Sequence, residues 1–141
     1  MTKISDTRAV IDQFLANTAT GDAEGIAALF ADEVDWKLNW PERPFAETPW
    51  IRSRSKASEV AAHFISIAEH HIPEKAGFSG LRVLVDGADA VVLGVIEQTA
   101  RPTGRAYTAR VALHFTVEEG RIVRYHVYED SLAVAEAFGA R

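Results

Sequence analysis

The sequence contains no cysteine among its 141 residues, which excludes disulfide bonds, thiolate zinc sites and a cysteine nucleophile. Its lysines and arginines are scattered and the formal net charge is -5, so the basic surface of a nucleic-acid-binding protein is missing. No run approaches the ~18 apolar residues of a membrane span, and no signal-like stretch follows Met1. We therefore expect a cytoplasmic protein that binds neither nucleic acid nor membrane.

The composition that remains is typical of one globular domain. Hydrophobic residues make up 48% of the chain and charged residues 25%, which is too apolar for a disordered protein. The length suits a single domain over residues 1–141 with one substantial core.

Apolar periodicity predicts helices first and then mostly strands. The predicted elements, in order, are helices over 5–19 and 22–30, a strand over 34–40, a helix over 55–71, strands over 81–85, 90–100, 106–117 and 121–129, and a helix over 132–138. No crossover helix alternates with the later strands, so a doubly wound sheet is excluded. The order predicts an α+β fold with helices on one side of a bent, mainly antiparallel sheet.

The last hairpin decides which side chains share a face of that sheet. A three-residue loop ending at Gly120 pairs Val117 with Arg121 and Ala109 with Glu129. This pairing puts apolar side chains on one face, and the opposite face carries Arg110, His114, Arg124, His126 and Tyr128. We expect the apolar face to point to the core or to a pocket.

The strand over 90–100 is apolar on both faces. Helices can cover only one of them, which leaves Val91, Leu93 and Val95 without a cover from the chain itself. A second subunit is the simplest cover, so we expect a homodimer.

Several local motifs resemble the SnoaL-like group of the nuclear-transport-factor-2-like (NTF2-like) superfamily, which also holds ketosteroid isomerases and limonene epoxide hydrolases. The stretches that carry the resemblance are Thr20-Gly21-Asp22 and the segments 30–34, 101–107 and 114–123. The resemblance covers nearly the whole chain. It implies an NTF2-like cone in which three N-terminal helices pack on a curved sheet that encloses a pocket, and usually a homodimer.

The catalytic groups of these relatives are mostly replaced. By resemblance, the places of the isomerase's tyrosine and two aspartates hold Phe14, Leu38 and Leu113, none of which moves a proton. The matching places for the epoxide hydrolase residues hold Ile96, Gly94, Val127, Trp36 and Leu38. We therefore expect neither activity.

An apolar pocket remains, and it suits a small, largely apolar organic molecule such as a terpenoid, polyketide-like, steroid-like or aromatic compound. The predicted ligand-binding residues are Phe14, Trp36, Leu38, Trp40, Phe64, Ile67, Gln98, Tyr107, Val111, Leu113 and Val127. Each of them alone is also compatible with plain core packing.

Three polar side chains are candidates for catalysis, namely Glu129, Tyr125 and His71. Apolar walls would raise the pKa of a glutamate and make it a usable acid or base, although Glu129 also fits a solvated strand end. His70 and His71 point about 100° apart on a helix, so the histidine spacing predicts no metal site, and no cofactor motif is present.

Three functions stay open at this point. The first is a non-catalytic binding protein, and the second is a cofactor-free isomerase, polyketide-type cyclase, lyase or hydrolase. The third is an interaction module whose cavity has collapsed around the tryptophans.

Overall fold

A computed structural model describes residues 4–41 and 46–139, and it has the predicted α+β architecture. The elements are α1 (Ile4–Thr20), α2 (Ala23–Ala27), β1 (Phe30–Leu38), a 3-10 turn (Ala57–Glu59) leading into α3 (Val60–His70), a second 3-10 turn (Pro73–Lys75), β2 (Gly77–Asp86), β3 (Asp89–Thr99), β4 (Ala106–Glu118), β5 (Arg121–Glu129) and α4 (Ser131–Ala137). The predicted order is confirmed.

Two of the helix starts are fixed by aspartate caps. Asp22 Oδ1 accepts a hydrogen bond from the backbone N–H of Gly25 at 2.9 Å, and Asp130 Oδ1 accepts one from Ala133 at 3.2 Å. Each bond satisfies a backbone donor that the first helical turn leaves without a partner. Asp130 is therefore a helix cap, which also fixes where β5 ends.

The five strands form one mixed sheet in the order β1-β5-β4-β3-β2. β1 runs parallel to β5, and the other neighbours are antiparallel. Side chains of α1, α3 and α4 pack on the face that carries Val92, Ala109 and Phe115. We call this the concave face and the opposite one the convex face.

The register of the last hairpin differs from the prediction. Glu119 (φ 52°) and Gly120 (φ 76°) form a two-residue turn, so Glu118 pairs with Arg121. A bulge at Val123 then adds one residue to β5. Beyond the bulge the pairing is shifted by two residues, which keeps Tyr125, Val127 and Glu129 on their predicted face. Before the bulge the shift is one residue, so Ile122, and not the predicted Arg121, lies opposite Val117 on the concave face.

The helices of the described residues all pack on the concave face, and they leave the convex face open. Leu84 and Tyr128 on this face are 48% and 51% exposed. Of the described helices, none is both long enough and apolar enough to cross a membrane.

Candidate functional site

The concave face gathers the side chains that the sequence singled out. The register places on it Trp36 and Leu38 from β1, Gln98 from β3, Tyr107, Val111 and Leu113 from β4, and Tyr125, Val127 and Glu129 from β5. Phe14 of α1 and Phe64 of α3 pack against the same face. They form two groups, an inner and an outer one.

The inner group is a packed aromatic cluster. The ring centroid of Tyr125 lies 4.8 Å from that of Trp36 and 5.8 Å from that of Phe14, which in turn lies 5.9 Å from Phe64. Trp36 keeps only 7% of its surface exposed. Edge-on and tilted ring contacts at these distances are favourable and fill the inner end of the concave face.

The outer group surrounds His71, which is buried against the Trp50 and Phe138 rings with centroids 5.2 Å away in both cases. Trp40, Ile67 and Tyr107 belong to the same group. Burial lowers the pKa of His71, so its imidazole is neutral near pH 7.

Hydrogen bonds fix the tautomer of His71. Its Nδ1 lies 2.6 Å from the carbonyl oxygen of Ile67, which only accepts, so Nδ1 carries the proton. Nε2 then accepts from the Tyr107 hydroxyl at 2.6 Å. Gln98 Oε1 also lies 2.6 Å from the Tyr107 oxygen, but the single hydroxyl proton of Tyr107 cannot serve both acceptors. Turning the Gln98 amide by about 180° puts its NH2 group at this place and satisfies all three side chains.

Glu129 stands between the two groups. It pairs with Val111 rather than with the predicted Ala109, because of the two-residue register shift. Its Oε1 accepts a hydrogen bond of 2.7 Å from the indole N–H of Trp40. Its carboxyl is largely enclosed by protein, and this burial raises its pKa although the Trp40 bond opposes the shift.

Two tyrosines complete the surroundings of Glu129. Burial, and then the charge of Glu129, raise the pKa values of Tyr125 and Tyr107 above the ordinary range. Both phenols therefore keep their protons at neutral pH, so each can donate a hydrogen bond but cannot act as a base.

Sequence reasoning missed both Trp50 and His63. Trp50 comes from a proline-rich loop with no periodicity, so no sequence signal marked it as buried. His63 falls on the apolar helical face of Val60 and Ile67, a signal that was available, and its Nδ1 donates to Trp50 O at 3.3 Å. Burial lowers the pKa of His63 to about 3.

The remaining histidines lie where the sequence placed them. His114 and His126 pair across the convex face, and they lie 3.0 Å from Asp89 and 3.1 Å from Asp35 respectively. Within residues 4–41 and 46–139, no three His, Asp or Glu side chains come together as metal ligands would.

The described surface has at least two open depressions. One, of about 470 Å³, is lined by the convex-face residues Val95, Arg110 and Tyr128 and also by Gly94, Val111 and Glu129. Another, about 340 Å³, lies at the β1 edge beside Asp35 and Lys56. The concave face is occupied by the protein's own side chains.

Solved structures show the same fold. An NTF2-like protein from Burkholderia xenovorans LB400 aligns with a TM-score of 0.83 and 18% identity over 99% of this chain and 100% of that one. A candidate polyketide cyclase of Xanthomonas campestris pv. campestris aligns with a TM-score of 0.79 and 14% identity over 96% and 98%. TerC, co-crystallised with polyporic acid, aligns with a TM-score of 0.77 and 18% identity over 96% and 99%.

Sequence comparison is more specific about the family. No curated protein matches the sequence. The profile of the SnoaL-like domain matches residues 11–125, which include most of α1, all of α2 and α3, and the sheet as far as the middle of β5. The chain therefore belongs to the SnoaL-like family.

Proposed function

We propose that the chain binds a small, largely apolar organic molecule on the concave face, with a polar atom of the ligand at Glu129. The observation that carries the proposal is the Glu129 carboxyl itself, enclosed among apolar side chains and held by Trp40. A solvated strand end would need no such enclosure. An enclosed carboxyl is costly unless its oxygens are well hydrogen-bonded; Trp40 supplies one partner, and a ligand hydroxyl would supply another.

A second polar atom supports the same proposal. The indole N–H of Trp36 is buried and has no hydrogen-bond partner among the described residues. Buried donors are nearly always satisfied in native proteins. Trp36 neighbours Tyr125 on the concave face, so a ligand oxygen there would satisfy this donor.

A cofactor-free isomerase, polyketide-type cyclase, lyase or hydrolase is the second candidate function. A carboxyl with a raised pKa exchanges its proton near neutral pH, which is the property of a general acid or base. Tyr125 would then hold a substrate oxygen and Glu129 would move the proton, while the hydroxyl proton of Tyr107 stays in its bond to His71 Nε2. His71 serves as a positioning residue for Tyr107 in this scheme, because its Nε2 is already occupied.

The known fold relatives agree with a small-molecule role. TerC was co-crystallised with polyporic acid, and another chain of this fold is a candidate polyketide cyclase. We extend small-molecule binding to this chain on the strength of its own Glu129 site. We also retain a homodimer and a cytoplasmic location as proposals.

The experiment is a screen of polycyclic phenols and ketones for quenching of tryptophan fluorescence, followed by Glu129→Gln. Gln keeps an acceptor for the Trp40 N–H but cannot exchange a proton. Glu97→Gln, on the exposed convex side of β3, is the matched control. If Glu129→Gln loses turnover but still binds the compound, the result supports the enzymatic function. Binding without turnover in the wild type supports the binding protein.

A screen in which no compound quenches the wild type at its solubility limit would contradict both functions. It would leave an interaction module with a filled interior, which the packed aromatic cluster would then explain.

A further inference from the structure

A row of three residues crosses the concave face at the level of Glu129. Gly94 of β3 pairs with Val111 of β4, and Val111 pairs with Glu129 of β5. Neighbouring strands lie about 4.8 Å apart, so the row spans about 10 Å. We call this row the floor; it is apolar as far as the Glu129 carboxyl at its end, because Gly94 has no side chain and that of Val111 is a hydrocarbon.

The ring of Phe78 lies directly over Gly94. A Cβ added at Gly94 would overlap the edge of this ring and would lie 3.0 Å from Leu81 Cδ2. Phe78 is only half-buried, although it packs against the main core. The place over the floor is therefore the size of an aromatic ring and is filled by the protein itself.

The segment that carries Phe78 has three features that allow its backbone to change conformation. β2 is an edge strand, so within the sheet it pairs with β3 alone. Gly77 and Gly80 flank Phe78 closely, Gly80 has a φ of 64°, and the pairing with β3 is interrupted between Ser79 and Arg82. Glycines and a bulge let a short edge segment change its backbone at low cost.

We propose that the floor of Gly94, Val111 and Glu129 is the site of a planar aromatic ligand, and that the Phe78 ring occupies this site until the ligand displaces it. The ligand carries a hydroxyl or ketone oxygen about one ring away from the ring over Gly94, where it meets the Glu129 carboxyl. The role of Glu129 rests on the function proposed above, whereas the displacement of Phe78 does not. A SnoaL-like fold was expected to enclose a pocket, yet the concave face is filled by side chains. The two agree if the pocket opens only when its ligand binds.

The first test uses naphthalene, which has rings but no oxygen. In protein labelled with 4-fluorophenylalanine, the signal of Phe78 is assigned by its loss in Phe78→Leu. We expect saturating naphthalene to move this signal to a solvent-exposed environment in the wild type. Phe78→Ala should bind naphthalene about tenfold more tightly, because no ring has to be displaced.

The second test refills the site. Gly94→Ala in the Phe78→Ala background puts a methyl on the floor and should remove most of the gained affinity. Phe78→Leu keeps an apolar side chain in the core and should gain less affinity for naphthalene than Phe78→Ala. It serves as the control in case Phe78→Ala does not fold. The inference is overturned if naphthalene leaves the Phe78 signal in place, or if neither Phe78 variant gains affinity.

A third measurement separates this inference from the proposed function. 2-Naphthol adds the oxygen, so it should bind more tightly than naphthalene. Glu129→Gln should reduce this difference in affinity. A displaced Phe78 with equal affinities for 2-naphthol and naphthalene would keep the ring site and contradict the role of Glu129. A preference for 2-naphthol while the Phe78 signal stays in place would support the role of Glu129 and contradict the displacement of Phe78.

Discussion

The indole N–H of Trp40 donates to Glu129 Oε1 over 2.7 Å and joins the segment after β1 to the end of β5. This bond favours the charged carboxylate, and burial of the carboxyl opposes it. The balance between the two sets the proton affinity at the centre of the candidate site.

Trp40→Phe removes the donor and keeps an aromatic ring. Because a hydrogen bond to a charged group contributes about 1.5–3 kcal/mol, we expect the pKa of Glu129 to rise further, by about one to two units. Carbon NMR titration of labelled glutamate measures it, with Trp50→Phe as the matched control. An unchanged Glu129 pKa would show that the bond is absent in solution.

Glu129→Gln should change how stability depends on pH. Since burial raises the folded-state pKa, the carboxyl stabilises the fold fully below its unfolded pKa of about 4.3. That contribution is lost as the pH rises through the folded pKa. Relative to Glu129→Gln, the wild type should lose about 1.4 kcal/mol of unfolding free energy for each unit of pKa shift. Urea unfolding between pH 4 and 8 measures this, and parallel curves would refute it.

His63 should act in the opposite pH direction. Its folded pKa of about 3 is below the unfolded value, so its contribution is present above pH 6.5 and is lost as the pH falls toward 3. In His63→Phe the free energy of unfolding should fall less steeply with decreasing pH, by about 1.4 kcal/mol per pH unit in that window. Denaturant unfolding at pH 7 and pH 5 tests this, with His70→Gln as control. If the free energy of unfolding falls as steeply with acid in His63→Phe as in the wild type, His63 is not buried in solution.

The convex face should hold a second copy of the chain. Val95→Arg places a charge in the apolar row of Val91 and Leu93, and it should convert a species of twice 15.5 kDa into one of 15.5 kDa. Leu132 is 67% exposed but lies on α4, so Leu132→Arg should leave the dimer intact. Sedimentation at micromolar concentration distinguishes the species, and a wild type of 15.5 kDa would contradict the proposal.

Local patterns of the sequence predicted the element order and the faces of the strands. Trp36 and Leu38 follow the alternation along β1, and the caps Asp22 and Asp130 bond to residues within four positions in the chain. Such features depend on neighbours in the chain, and so they are readable without the fold.

Other features depend on contacts between distant segments, and only the tertiary structure decided them. Glu119 adopts a positive φ that its residue type does not suggest, and the bulge at Val123 then sets Glu129 opposite Val111. The burial of Trp50 and the ring of Phe78 over Gly94 join residues far apart in sequence. The sequence by itself determined the scaffold and its family, because local periodicity and motifs specify them. The proton affinity of Glu129 and the occupant of the concave floor were decided by packing, because each depends on which side chains meet across the sheet.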